Sequence, residues 1–179
     1  MKKILFFFLV CLTDIAMGQN SCDENILSEM EKKFSRADKK GKTDNYEYAD
    51  ISFKIAECYR LKNDSNNLKW YRKNIRVGKN AFKSCDKDKI AECNRTIGQI
   101  GISQYYIGQY EESIKYLEKA AGYSKNPDFN YFLGLSYMKL EKYDIASVEF
   151  NNFKRTSTDI KDVEILLKIC QDKLKENPK

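Results

Sequence analysis

Ile100-Gly101 is followed 33 residues later by Leu133-Gly134, and the residues around the two pairs keep step. Over the same interval Gly108 becomes Glu141, Tyr110 becomes Tyr143, Ser113 becomes Ala146 and Leu117 becomes Phe150. Each unit therefore reads as an apolar-small pair, a turn, an aromatic, a small residue and a large apolar one. An internal period of this length marks a stack of short supersecondary units, none of which buries both of its faces alone. A third segment belongs to the series. Asn67 to Asn80 aligns with Ser113 to Asn126, so that Leu68 meets Ile114, Trp70 meets Tyr116, Tyr71 meets Leu117 and Val77 meets Tyr123. Lys69, Lys73 and Lys79 recur as Lys115, Lys119 and Lys125. Apolar residues three and four apart give these segments the helical period. Two prolines, Pro127 and Pro178, and eight glycines suit long helices better than a turn-rich sheet.

These units resemble tetratricopeptide repeats, helix–turn–helix pairs of about 34 residues. Leu133-Gly134, Tyr137, Tyr143, Ala146 and Phe150 fall on the family's signature positions in the third unit. Ile100-Gly101, Gly108, Tyr110, Ser113, Leu117 and Ala120 do so in the second, and Pro127 follows its outer helix. The first unit opens with Ile55-Ala56 and Tyr59 and continues through Asn67, Trp70 and Tyr71. Its turn, Lys62 to Asn66, is one residue short, and Asn67 stands where the family usually has alanine. The resemblance implies an all-α fold, a short α-solenoid with units at about 49–80, 94–126 and 127–158 and a capping helix at 159–175. About twelve extra residues are placed at Ala81 to Arg95, to lengthen a helix or to form a loop. Eight helices are expected, near 23–39, 45–62, 66–79, 87–107, 110–123, 127–139, 142–155 and 159–175. The last starts near Thr158 or Asp159 as cap and shows Ile160, Val163, Leu166, Leu167 and Cys170 on one stripe.

Residues 1–18 have the grammar of a cleavable secretory signal: Lys2 and Lys3, an apolar run from Ile4 to Leu12, then Ala16-Met17-Gly18. The run is shorter than the roughly 20 residues of a spanning helix. Residues 19–179 are then a single helical domain with no membrane span. A lipoprotein anchored at Cys22 is the alternative, with Asp23 and Glu24 following the cysteine. The compact lysine-rich signal has a bacterial look, which places the protein in a periplasm or at a cell surface. Removing the signal takes the formal charge from +6 to +5, with lysines interleaved among acids as on a solvated helical surface, so no nucleic-acid partner is expected.

Five cysteines remain after the signal, Cys22, Cys58, Cys85, Cys93 and Cys170, and an odd number leaves one thiol unpaired within the chain. Cys85 with Cys93 is the first pairing to consider. A continuous helix through both would hold them about 12 Å apart and forbid it. Cys58 and Cys170 read equally as disulfide partners or as small apolar helix residues. The chain has no histidine and no Cys-X-X-Cys spacing, which removes the usual zinc sets and histidine-based catalytic pairs. Gly98 to Gly101 lies in a helical pattern, not a phosphate loop, and Glu111-Glu112 lies on an outer helix face. Neither enzyme activity nor a cofactor is expected. Asn63-Asp64-Ser65 and Asn94-Arg95-Thr96 match the glycosylation acceptor pattern, which matters only in a eukaryotic secretory route.

In the family, the first helix of each unit lines a concave groove that takes a protein or peptide. Carried onto this chain, the lining is Asp50, Phe53, Glu57 and Arg60 from unit one. Unit two supplies Arg95, Ile102, Tyr105 and Tyr106. Unit three supplies Asp128, Tyr131, Leu135 and Met138, with Lys139 at the rim. Family members that grip a peptide's terminal carboxylate use lysine and asparagine where this chain has Phe53, Glu57, Tyr131 and Leu135, so that mode is not expected. The implied function is a protein- or peptide-binding scaffold or adaptor of the bacterial envelope. The alternative is a periplasmic immunity or inhibitor protein that neutralises one toxin or enzyme. Oligomeric state is left open.

Overall fold

The structure, a computed structural model, describes residues 22–176 apart from 84, 86, 125 and 159. The signal segment and the Asp159 cap lie outside the described residues. Among the described residues eight α-helices follow one another: α1 (Glu24–Asp38), α2 (Tyr46–Leu61), α3 (Asn66–Lys83), α4 (Ile90–Tyr106), α5 (Tyr110–Tyr123), α6 (Pro127–Lys139), α7 (Tyr143–Thr156) and α8 (Lys161–Glu176). Among the described residues there is no strand. Each helix packs on the next, as in a helical-repeat solenoid. The first helices of successive pairs also meet directly, α2 on α4 and α4 on α6. Second helices of successive pairs have no comparable backbone approach, so the first helices occupy the inner side of the curve.

Local chemistry explains the ends. The Asp23, Asn45 and Asn126 side chains accept from backbone N–H groups in the first turns of α1, α2 and α6, and Pro127 fits the first turn of α6. At the other end the three pairs share one turn. Asn63, Gly108 and Glu141 all take positive φ (53°, 81° and 58°). The next N–H in each case, from Asp64, Gln109 and Lys142, donates to the carbonyl of Tyr59, Gln104 and Tyr137 at 2.9 Å. This is the six-to-one bond of a Schellman ending, which satisfies a carbonyl the helix leaves free. Glycine meets the left-handed requirement in unit two, whereas Asn63 and Glu141 adopt it with a side chain.

The apolar-small pairs work through close approach. A Cβ on Gly101 would lie 2.6 Å from Leu117, and one on Gly134 would lie 2.5 Å from Phe150. Leu117 and Phe150 are fully buried, 33 residues apart, on equivalent turns of α5 and α7. In unit one the pair is Ala56 and Tyr71, both at 0% exposure. The Lys62–Ser65 turn is one residue longer than its counterparts, but α3 starts two residues later relative to its buried aromatic. The net shortening by one residue follows. The extra residues between units one and two are divided three ways: α3 runs on to Lys83, α4 begins early at Ile90, and the link between them contains a 3-10 turn at Lys87–Lys89.

That link breaks the helix and brings the Cys85 and Cys93 Cα atoms to 6.0 Å, where they form a disulfide. A second disulfide, Cys22–Cys58, ties the start of α1 to α2. Cys170 stays a thiol, buried with Val163 under α8. α1 covers the open end of unit one by placing Phe34, at 0% exposure, edge-on to Trp70 (5.1 Å) and Tyr48 (6.0 Å). Two apolar clusters result, one under α1 to α3 and one under α4 to α8, and Phe53 and Tyr106 pack against both. No described helix is long and apolar enough to cross a membrane.

Candidate functional site

The inner helices α2, α4 and α6 bring part of the expected lining together. Phe53, Glu57, Arg60, Tyr106, Tyr131 and Met138 are half-buried, as rings and chains at the edge of a groove would be. Ile102, Tyr105 and Leu135 are 7%, 9% and 7% exposed and belong to the core. Arg95, Asp128 and Lys139 are exposed, and Asp50 is half-buried. Asp50 accepts from Gln99 Nε2 at 2.9 Å and pairs with Lys54 at 2.8 Å, which bridges α2 to α4. Gln99 Oε1 is buried beside it with no protein partner.

The inner face carries a continuous run of rings. Phe53 contacts Tyr71 (6.3 Å), Tyr71 stacks on Tyr106 (4.7 Å, 13° between planes), and Tyr106 meets Phe132 edge-on (5.6 Å). Phe132 meets Tyr131 (5.6 Å), and Tyr131 leans on Phe153 (5.4 Å). Tyr105 supports this run from beneath through Tyr106 and Phe132, each 5.4 Å away. One end is ionic. Arg60 gives Glu57 Oε2 two hydrogen bonds, at 2.9 Å from Nε and 2.7 Å from Nη2, while its guanidinium lies 5.4 Å over the Tyr106 ring. The Tyr71 hydroxyl donates to Glu57 Oε1. Three members of this run, Tyr71, Phe132 and the buried Phe153 of α7, are absent from the sequence-derived lining. Tyr71 sits on a second helix and reaches inward only because α3 is packed so closely. Phe132 adjoins Tyr131 on α6, and the lining carried over from the family included Tyr131 but not its neighbour.

Burial and carboxylate neighbours hold several phenols in their neutral form. Burial pushes Tyr105 up to about 12. The Glu31 hydrogen bond, then burial, takes Tyr59 to about 12. Burial, then the charge of Glu57, moves Tyr71 up strongly, and burial with the Glu118 hydrogen bond raises Tyr137. Folded-state values above the unfolded value near 10 contribute stability that is full below pH 10 and is lost as pH rises through the folded values. The protein is therefore expected to unfold between about pH 10 and 12, with tyrosinate absorbance and loss of the 222 nm ellipticity rising together there. Tyrosinate titration completed near pH 10 with the helices intact would contradict this.

No protein-family model and no curated protein matches this chain.

Proposed function

We propose that this is an exported helical-repeat protein of the tetratricopeptide type that holds a protein or peptide in the groove of α2, α4 and α6. The observation that carries this is the ring run from Phe53 through Tyr106 and Phe132 to Tyr131, half-exposed across all three inner helices and ending on the Arg60–Glu57 pair. Tyrosine, phenylalanine and arginine on a preformed surface are the residue types that supply interface energy at small entropic cost. The repeat assignment draws on the shared turn of Asn63, Gly108 and Glu141 and on the Gly101–Leu117 and Gly134–Phe150 approaches. A binding role rather than chemistry agrees with the absence of histidine from the sequence. Two disulfides suit an oxidising compartment outside the cytoplasm. Cys22 Sγ, once bonded to Cys58, has no valence left for a lipid thioether, which favours an unanchored mature protein.

The test is affinity capture from the envelope of the native cell, repeated with the Tyr106→Ala, Tyr131→Ala double variant. The wild type is expected to retain a partner that the variant releases at least about 30-fold more readily, at matched helicity. Equal retention would remove the groove as the site. One stoichiometric partner held at nanomolar strength favours the inhibitor role, and several partners at lower occupancy favour the scaffold.

A further inference from the structure

Helix α3 contains six basic residues, Lys69, Arg72, Lys73, Arg76, Lys79 and Lys83, and no acidic one. Five of them, Lys69, Arg72, Arg76, Lys79 and Lys83, succeed one another at spacings of three and four, so they form a single line along the helix. At 1.5 Å per residue the line is about 21 Å long. All five are exposed, while the opposite side of α3 is buried through Trp70, Tyr71, Asn74, Val77, Gly78 and Ala81. Arg76 pairs with Asp38 at 2.7 Å, but no described carboxylate lies within 4.0 Å of Lys69, Arg72, Lys79 or Lys83. The charges act on one another: burial first, and also the positive neighbours Lys69 and Arg76, lower the Lys73 ammonium. The asymmetry extends over the chain. Residues 22–83 hold 15 basic and 10 acidic side chains, against 14 and 15 in residues 84–176. Around an open concavity of about 750 Å³ beside α1 stand Lys32, Lys33, Arg36, Lys40 and Lys42 with the single acid Glu29, and Lys33 pairs with Glu47 at 2.5 Å.

We propose that the outer line of α3 docks the protein on an anionic membrane surface, with Lys69, Arg72, Lys79 and Lys83 facing lipid phosphates. A straight row on the crest of an outer helix presents every charge to a plane at once. A single-stranded nucleic acid would be better served by a groove with open aromatic stacking faces, whereas the ring beside this row, Tyr116, is half-buried and already covered by Lys79. Leu68, 38% exposed at the start of the line, can enter the interfacial layer, while Lys79 Nζ lies 5.5 Å over the half-buried Tyr116 ring of α5. Docking through the outer helix leaves the inner face of α2, α4 and α6 turned away from the lipid. The inference does not depend on what that face binds.

The experiment is co-sedimentation of the disulfide-bonded protein with phosphatidylcholine vesicles that contain or lack phosphatidylglycerol, at low and physiological salt. Binding is expected only with phosphatidylglycerol and should weaken as salt rises. The variant Lys69→Gln, Arg72→Gln, Lys79→Gln, Lys83→Gln should bind at least about 100-fold more weakly, since each surface cation contributes about fivefold. A control that loses the same charge elsewhere, Lys142→Gln, Lys161→Gln, Lys168→Gln, Lys175→Gln, should lose no more than about threefold. Both sets are surface substitutions, and matched circular dichroism establishes that each is folded. The proposal is overturned if the row variant sediments like wild type, if the control loses as much as the row variant, or if duplex DNA or heparin binds tightly while the vesicles do not.

Discussion

Replacing Cys22 and Cys58 together by serine should lower the unfolding free energy by about 3–4 kcal/mol. The bond closes a loop with a sequence separation of 36, and the denatured chain regains that closure entropy once the link is gone. Removing both cysteines avoids leaving a reactive thiol behind. Urea unfolding followed by circular dichroism would read the change as a lower midpoint at unchanged slope. The folded end of the solenoid should remain docked in the variant, because α1 has other anchors. Phe34 is fully buried against Trp70 and Tyr48, Tyr59 donates to Glu31 at 2.7 Å, and Arg76 pairs with Asp38 at 2.7 Å. Removing Cys85 and Cys93 should cost less, about 2 kcal/mol, since their sequence separation is only 8. Equal effects from the two pairs, or none from the first, would refute the loop-closure account.

Phe150→Ala should destabilise the protein by about 3–5 kcal/mol, the usual range for emptying a fully buried aromatic site. The ring fills the space that Gly134 leaves open, and Tyr131 rests on it at 6.2 Å. Gly134→Ala alone should also destabilise, by about 1–3 kcal/mol, because its Cβ would stand 2.5 Å from the ring and the packed α6–α7 pair must separate. Combining the two should cost less than their sum, since the methyl then enters space the ring has vacated. Additive effects in a denaturation-based double-mutant cycle would show that residues 134 and 150 do not meet as described.

Much of the architecture is local and was therefore legible. The 33-residue recurrence of the apolar-small pair is visible in the chain itself, the glycine at 108 acts within a few residues of its position, and the expected helices agree with the observed ones to within a few residues. Gly134 against Phe150 and Gly101 against Leu117 follow from the same repeat, because one turn geometry serves both units. The basic line on α3 was present in the sequence as well. Averaging charge over the whole chain hid it, and counting acids helix by helix reveals it. The candidate groove was legible only in part. Periodicity, applied to the first helices that the family resemblance singles out, assigns a residue to a face of its helix, and so named Phe53, Glu57, Arg60, Tyr106 and Tyr131 as lining. It carries no measure of how deeply a face is covered by the next unit, which is why Ile102, Tyr105 and Leu135 lie in the core.

Three matters were settled by the tertiary structure alone. Cys22 pairs with Cys58 while Cys170 stays a buried thiol, a choice made by which Cα atoms come within bonding distance once α1 folds over unit one. The extra residues between units one and two lengthen two helices and leave a short stapled link, because both helix ends find packing partners before the chain must turn. Tyr71 joins the inner aromatic run from a second helix because the close approach of α2 and α3 lets its ring reach Tyr106. The sequence alone determined the helices and their period, set by interactions a few positions apart, and through the repeat it marked the small residues that permit close packing within each pair. Which distant residues meet depends on how successive pairs rotate against one another, and that rotation is decided by side chains filling space across units, far from each other along the chain.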